Sequence, residues 1–324
     1  MALKLYLEAI NKEIAEHKYG NHPQELYDPL EYIMSLGGKR LRPALTLMSA
    51  NLWLYNWQKA VKPALAVEVF HNFTLMHDDI MDQAPIRRGQ ATVHEKWDTN
   101  TAILSGDVML VAAYELLAEV EDANFKHVIK RFNRTAAEVC EGQQLDMMFA
   151  SKENVSKEEY IEMIRLKTSV LLGFALELGA IVAGADQESV DLLYSIGVNL
   201  GLGFQVKDDI LDVYGEQAKV GKQIGGDIIE NKKTWLMIDA LEKAEEFGVV
   251  KELNTWLQKE TFDNTEKVTA VKAIFDTIGV KQDAEQAMHG YFNLAFDSLK
   301  KLNVSEDKKQ VIRSFAEDLL NREH

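Results

Sequence analysis

All five prolines of the 324-residue chain (Pro23, Pro29, Pro43, Pro63 and Pro85) fall within its first 85 positions. Everything beyond Pro85 therefore lacks the residue that most strongly interrupts a helix, by removing an amide donor and clashing with the preceding turn. Strand signals are weak as well: alternating β-branched runs are few, and no Asn-Gly or Asp-Gly pair marks a tight hairpin. Apolar residues recur instead at helical spacing. Tyr160, Ile161, Ile164, Leu171, Leu172, Phe174, Ala175 and Leu178 form one such series, and Val190, Leu193, Tyr194, Val198 and Leu202 another. The pattern implies an all-α fold of about ten or more helices. Breaks are expected at Tyr19–Pro23, Ser151–Ser156, Tyr214–Asp227, Thr261–Thr265 and Asn303–Ser305. None is long or low in complexity, so residues 1–324 read as a single domain.

A net charge of −15 argues against a nucleic-acid partner, which demands clustered Lys and Arg. Anions can still bind where a few basic residues converge or divalent cations bridge the charge. Cys140 is the only cysteine, so no intrachain disulfide forms and a reducing, cytoplasmic compartment fits; it reads as an inert thiol. The N-terminal segment carries Lys4, Glu8, Lys12 and Glu13 and has no signal-peptide core. Ser169–Ala185 is the most apolar stretch, yet Glu177 and several glycines interrupt it. It falls short of the ~20 residues a bilayer crossing needs and reads as a buried core helix, not a stable membrane insertion.

The sharpest feature is a repeated acidic pentad. Asp78-Asp79-Ile80-Met81-Asp82 closes the apolar segment Val67–Met76, and Asp208-Asp209-Ile210-Leu211-Asp212 closes Leu200–Val206. On a helix, residues four apart share a face, so Asp78 lies beside Asp82 and Asp208 beside Asp212. Like charges at that spacing repel unless something offsets them, and a hard divalent cation does so directly. A solvated acidic face would explain one cluster; two near-identical ones after core-like helical stretches fit it poorly. Neither pentad offers histidine or cysteine at zinc spacing or the alternating oxygens of a calcium loop. Mg²⁺ shared with substrate phosphates is the better match.

Basic residues that could meet those phosphates flank the pentads. Gly37-Gly38-Lys39-Arg40-Leu41-Arg42-Pro43 places three cations within four positions without the spacing of a P-loop. Arg87 and Arg88 follow the first pentad, Lys167 and Thr168 sit mid-chain, and Lys232, Lys233 and Thr234 follow the second. Guanidinium groups suit phosphate by fork geometry. His71, seven residues before Asp78, lies two turns down the same face; it is either a core histidine or a hydrogen-bond donor to an anion. The glycine-rich Gly215–Gly226 segment, with Lys219 and Lys222, could serve as a lid. Phe70, Phe73, Leu75, Met76 and Phe204 are candidates to line an apolar channel, with ordinary core packing as the alternative.

In this order the motifs resemble the trans-isoprenyl diphosphate synthases, or polyprenyl synthetases. Gly37–Pro43 is similar to their isopentenyl-diphosphate signature. His77-Asp78-Asp79-Ile80-Met81-Asp82 with Arg87-Arg88-Gly89 resembles their first aspartate-rich motif, and Gly203-Phe204-Gln205 with Asp208, Asp209 and Asp212 the second. Gly106-Asp107, Gly142-Gln143 with Asp146, and Lys167-Thr168 resemble smaller motifs. The resemblance implies helices around a central cavity on which both acidic patches converge, a homodimer, and Mg²⁺ held by Asp78, Asp82, Asp208 and Asp212. It implies that Arg87, Lys167, Thr168, Gln205, Lys222 and Lys232 hold an allylic diphosphate, and that Lys39, Arg42, His71 and Arg88 grip isopentenyl diphosphate. One departure stands out: Asn231 occupies a position where the family often has glycine, and no proline follows.

The same resemblance places product-length control at Phe73 and Thr74, five and four residues before Asp78, and favours geranylgeranyl over farnesyl diphosphate. Two other functions share the scaffold. A terpene cyclase would alter the second pentad and have no use for Lys39 and Arg42. A non-catalytic subunit of a prenyltransferase heteromer would lose a pentad.

Overall fold

The computed structural model describes residues 2–215 and 225–321, so Lys219, Lys222 and most of the expected lid lie outside the described residues. Helix accounts for 78% of the structure. The all-α expectation therefore holds, with more than the anticipated minimum of helices. The described chain divides into two compact units, and the boundary falls inside long helices. One contains the residues up to Arg134 with Phe174–Tyr194 and Leu302–Ile312. The other contains Thr135–Gly173, Ser195–Lys301 and the chain from Arg313 onward.

In the first unit α1 (Ala2–Glu16), α2 (Gln24–Ser35), α3 (Leu41–Ala50), α4 (Val61–Met81), α5 (Val93–Lys96) and α6 (Thr99–Leu117) follow in order. Three of the prolines mark helix starts: Pro23 is the N-cap of α2, and Pro43 and Pro63 sit in the first turns of α3 and α4. Amides there have no intrahelical acceptor, so proline costs little. The central pair is α4 and α6. Their approach is tight at Gly106, where a Cβ would come within 2.3 Å of His77 Nε2.

One strand pairing was not legible in the sequence. Ile86–Arg87 pairs antiparallel with Gln90–Ala91, and the two-residue turn is Arg88-Gly89, at φ 53° and 77°. Both residues adopt the left-handed conformation that favours Asn-Gly in such turns; here the first is an arginine. Among the described residues α6 alone is long and apolar enough to cross a membrane, and 44% of that stretch is buried inside the protein.

The helices α7 (Asp122–Ser151), α9 (Val170–Val182) and α10 (Gln187–Tyr214) contain the boundary between units. The apolar stretch read as a core helix is α9, whose residues from Val170 to Ile181 are buried. Cys140 lies exposed on α7. The second unit also holds α8 (Lys157–Ile164), opened by a Ser156/Glu159 capping box, and a π-helical turn at Arg165–Ser169. It continues with α11 (Gly226–Ile229), α12 (Trp235–Lys243), α13 (Val250–Gln258), α14 (Asn264–Ile278) and α15 (Val280–Lys301). The last helix is α16 (Glu306–Asn321). Buried Asp239 on α12 ties this unit together, with Lys157 Nζ at 2.5 Å and Lys243 Nζ at 3.3 Å.

Candidate active site

In the first unit a cavity of about 430 Å³ is lined by Leu36, Gly38–Arg42, Glu68, His71 and Arg88. Three of its cations fall within four positions of the sequence, but they do different things. Arg40 is buried at φ 48°, with Nη1 donating to Glu68 Oε1 at 2.5 Å and Nη2 to Met34 O at 2.5 Å. Its charge is matched inside the protein. Lys39 is exposed at the mouth, and Arg42 Nη1 reaches His71 Nε2 at 3.3 Å. Arg42 Nε has no hydrogen-bond partner among the described residues. Burial draws the Arg42 guanidinium down to about 10, with Glu68 opposing and Arg88 reinforcing; it stays protonated near neutrality.

Burial and the surrounding arginines, Arg42 first, hold His71 well below its ordinary value, so the imidazole is neutral. Arg88 donates to Gly37 O, and its guanidinium lies against the Gly38 backbone. Gly38 has φ 135°, a conformation that favours glycine, and a Cβ there would sit 3.0 Å from that guanidinium.

The first pentad ends α4. Asp82 is its C-cap and donates its amide to Asp78 O at 2.8 Å, which confirms that the two aspartates lie one turn apart. Asp79 is different. It is buried, and both its oxygens accept from Arg87 Nε at 2.8 Å, with Arg87 Nη2 at 2.6 Å from Oδ1. Arg87 is thereby fixed in the hairpin beside the carboxylates.

Below them Phe73 is half-buried, edge-on to His77 at 4.7 Å and tilted against Phe70 at 5.6 Å. Phe70 and Met76 are 1% exposed and are core, which removes them from the candidate channel lining; Phe73 and Leu75 keep partial exposure. Thr74 donates to His71 O at 2.8 Å.

The second unit repeats this division of labour. Asp208 and Asp212 lie one turn apart near the end of α10, half-buried, with half-buried Gln205 one turn earlier. Asp209 between them is buried and accepts from Tyr160 Oη at 2.5 Å and from the Trp235 amide at 3.1 Å. Burial raises its pKa to about 7, against the pull of the Tyr160 hydrogen bond and with Asp227 adding to the rise. One oxygen of Asp212 accepts from the Asp227 amide at 3.1 Å, and its carbonyl from Gly225 N at 2.7 Å.

Lys167 occupies the π turn with Nζ 2.5 Å from Asp146, and Thr168 follows it, half-buried. Gly142 of α7 allows this approach, since a Cβ there would meet the Lys167 amide at 2.2 Å. Lys232 Nζ lies 3.8 Å from Asp227. Burial lowers its pKa, but Asp227, Asp146, Asp209 and Glu230 more than offset this and hold it above its ordinary value. Asn231 sits at φ 54°, which explains the departure noted in the sequence: asparagine tolerates the left-handed conformation that glycine would take.

Residues 23–277 match the polyprenyl synthetase family model. The chain belongs to that family. Its relatives include a geranylgeranyl pyrophosphate synthase of Geoglobus acetivorans, 36% identical over 97% of this chain and 96% of that protein. A geranylgeranyl diphosphate synthase of Methanosarcina mazei is 43% identical over 68% of this chain and 69% of that protein. Among solved structures, a geranylgeranyl pyrophosphate synthase superimposes with a TM-score of 0.92 at 44% identity, covering 100% of this chain and 98% of that one.

For a polyprenyl synthetase the division within each pentad is informative. The second aspartate anchors a neighbour (Arg87 or Tyr160), and the first and last form the pair one turn apart. Among the described residues no three Asp, Glu, His or Cys side chains gather into a preformed metal site. The donors are carboxylate oxygens in pairs, without sulfur or imidazole. That set fits a hard cation such as Mg²⁺ that takes its other ligands from water and substrate phosphate. Sequence reasoning missed Glu68, Tyr160 and Asp227. Glu68 had a signal, as a carboxylate inside the apolar start of α4, three residues before His71. Tyr160 had none, since only folding brings it to Asp209.

Proposed function

We propose that this polyprenyl synthetase condenses isopentenyl diphosphate with an allylic diphosphate, giving a short trans-prenyl diphosphate and pyrophosphate. The observation that carries the reading is the cationic cavity of the first unit, where the desolvated Arg42 guanidinium has an unpartnered Nε beside neutral His71. Such a pocket favours a compact polyanion. Lys39, Arg42, His71 and Arg88 hold isopentenyl diphosphate there. Arg42 occupies His71 Nε2 as an acceptor, so the imidazole proton is on Nδ1 until an anion draws Arg42 away.

Arg87, Lys167, Thr168, Gln205 and Lys232 bind and orient the allylic diphosphate, and Lys222 is assigned with them by resemblance alone. Asp78, Asp82, Asp208 and Asp212 would hold Mg²⁺. When bound, Mg²⁺ supplies positive charge to the diphosphate as it leaves. Arg87, Lys167 and Lys232 add fixed positive charge to the same leaving group, which lowers the barrier to the allylic carbocation. The isopentenyl double bond, held by its own diphosphate, attacks C1 of the allylic group. One proton is then lost to the departing pyrophosphate, so no protein base is needed; positioning contributes most.

Geranylgeranyl diphosphate is the favoured product, with farnesyl diphosphate next. Phe73 forms the floor, buttressed by Phe70 and His77, and Thr74 leaves room beside it. We further propose that both units serve one catalytic domain, which acts as a cytoplasmic homodimer. The test is incubation with isopentenyl diphosphate, Mg²⁺ and each allylic primer in turn, followed by product sizing. Absence of chain elongation with every primer would refute the reading.

A further inference from the structure

Lys267, near the start of α14, is fully buried. Burying an ammonium is costly unless its donors are used. Its Nζ donates to Asn231 Oδ1 at 2.7 Å and to Ile229 O at 3.1 Å, and it lies 4.2 Å from the centre of the Phe262 ring. These partners are neutral, so among the described residues no counter-ion explains why a lysine is there. What they share is position: Ile229 ends α11, and Asn231 immediately precedes Lys232 in the connection to α12.

The helix that leads into the connection, α11, is held at its start too. Asp212 accepts the amides of Gly225 and Asp227, and the Val268 methyls pack where a Cβ on Gly225 would fall, 2.6 Å away. Within the connection the Lys232 amide donates to Asp227 O at 2.8 Å, and Asn231 Nδ2 donates to Leu257 O at 3.0 Å. Asn231 is left-handed, a conformation costly for most side chains. Glycine would adopt it at no steric cost but would not be held in it. Here asparagine adopts it and is tied down through both ends of its amide.

We infer that Lys267 is a positioning residue for the diphosphate-binding Lys232, acting through the Asn231 side chain in place of a glycine at that turn. The inference rests on the assignment of Lys232 to the allylic diphosphate. Lys267 touches no substrate. It keeps Lys232 beside Asp227 by holding the turn in its left-handed form.

Lys267→Met keeps the buried stem and removes the donors. It should raise the KM for the allylic diphosphate about tenfold, the scale of one lost buried hydrogen bond, with the KM for isopentenyl diphosphate unchanged. Asn231→Ala, which leaves the buried lysine in place, should do the same, and this keeps the idea testable should the Met variant fail to fold. Asn231→Gly in the Lys267→Met background should recover most of the loss, because glycine takes the turn without an anchor. An equal rise in both KM values, or a double variant as impaired as Lys267→Met, would overturn the inference. Hydrogen exchange separates it from the functional reading. With or without turnover, the Asn231 and Lys232 amides should exchange about tenfold faster in Asn231→Ala, and unchanged exchange would overturn it.

Discussion

Replacing Arg40 should damage stability far more than substrate binding, although it lies between two residues assigned to isopentenyl diphosphate. Its side chain is 4% exposed and that of its partner Glu68 3%, at 2.5 Å. Solvent screening is therefore slight. Arg40→Met leaves Glu68 buried, with the amide of Asn72 at 3.0 Å as its remaining donor. Breaking one side of a buried pair costs about 3–5 kcal/mol, whereas replacing both partners with apolar residues is often close to neutral. Arg40→Met should thus lower the unfolding free energy by about 3–5 kcal/mol, and Arg40→Met/Glu68→Met should recover most of it. Arg42→Ala should show the opposite profile, with a small stability change and a large rise in KM for isopentenyl diphosphate. Urea unfolding of the single and double variants, with steady-state kinetics on each, makes the comparison. A loss below about 1 kcal/mol for Arg40→Met would refute the assignment of Arg40 to the scaffold.

Other outcomes follow from the same geometry. Asp78→Ala and Asp208→Ala should each reduce kcat by two or more orders of magnitude at saturating Mg²⁺, with thermal stability little changed; near wild-type turnover would remove them from the metal set. Phe73→Ala should shift the products to longer chains on chromatography, and an unchanged spectrum would remove Phe73 from length control. His71, whose folded pKa lies well below the ordinary 6.5, takes up its proton less readily in the folded chain than in the unfolded one as pH falls through 6.5. The unfolded state then binds more protons, so stability falls as pH drops below about 6.5 and is retained above it. His71→Gln should remove that part of the acid slope in pH-dependent unfolding.

Much of the helical architecture was legible because its signals are local. Prolines confined to the first 85 positions and apolar residues at helical spacing leave few alternatives; the break at Tyr19–Pro23 is a loop as expected, and the one at Ser151–Ser156 is a loop from Lys152 onward. The hairpin was not legible, because the first position of its turn is Arg88, held left-handed by a guanidinium that binds Gly37 O across the fold. Nor was the π turn at Arg165–Ser169, which interrupts an otherwise unbroken apolar period. Within the site, spacing alone put Asp78 beside Asp82 and Asp208 beside Asp212. It could not separate these from Asp79 and Asp209, whose anchoring roles depend on Arg87, Tyr160 and the Trp235 amide. Long-range pairings also distinguish Arg40 from Lys39 and Arg42. Asn231 looked like a weakness in the second motif; its left-handed backbone and its contact with Lys267 show how the position is maintained.

The claim beneath all of this is that paired carboxylates bind a divalent cation that helps a diphosphate to depart. The direct measurement is the rate of pyrophosphate release from farnesyl and isopentenyl diphosphates as Mg²⁺ is titrated into chelator-treated protein. The account predicts no release without Mg²⁺, saturating release as it is added, and a twenty-carbon product formed in step. Undiminished release in excess chelator, or no release at any Mg²⁺ concentration, would contradict it.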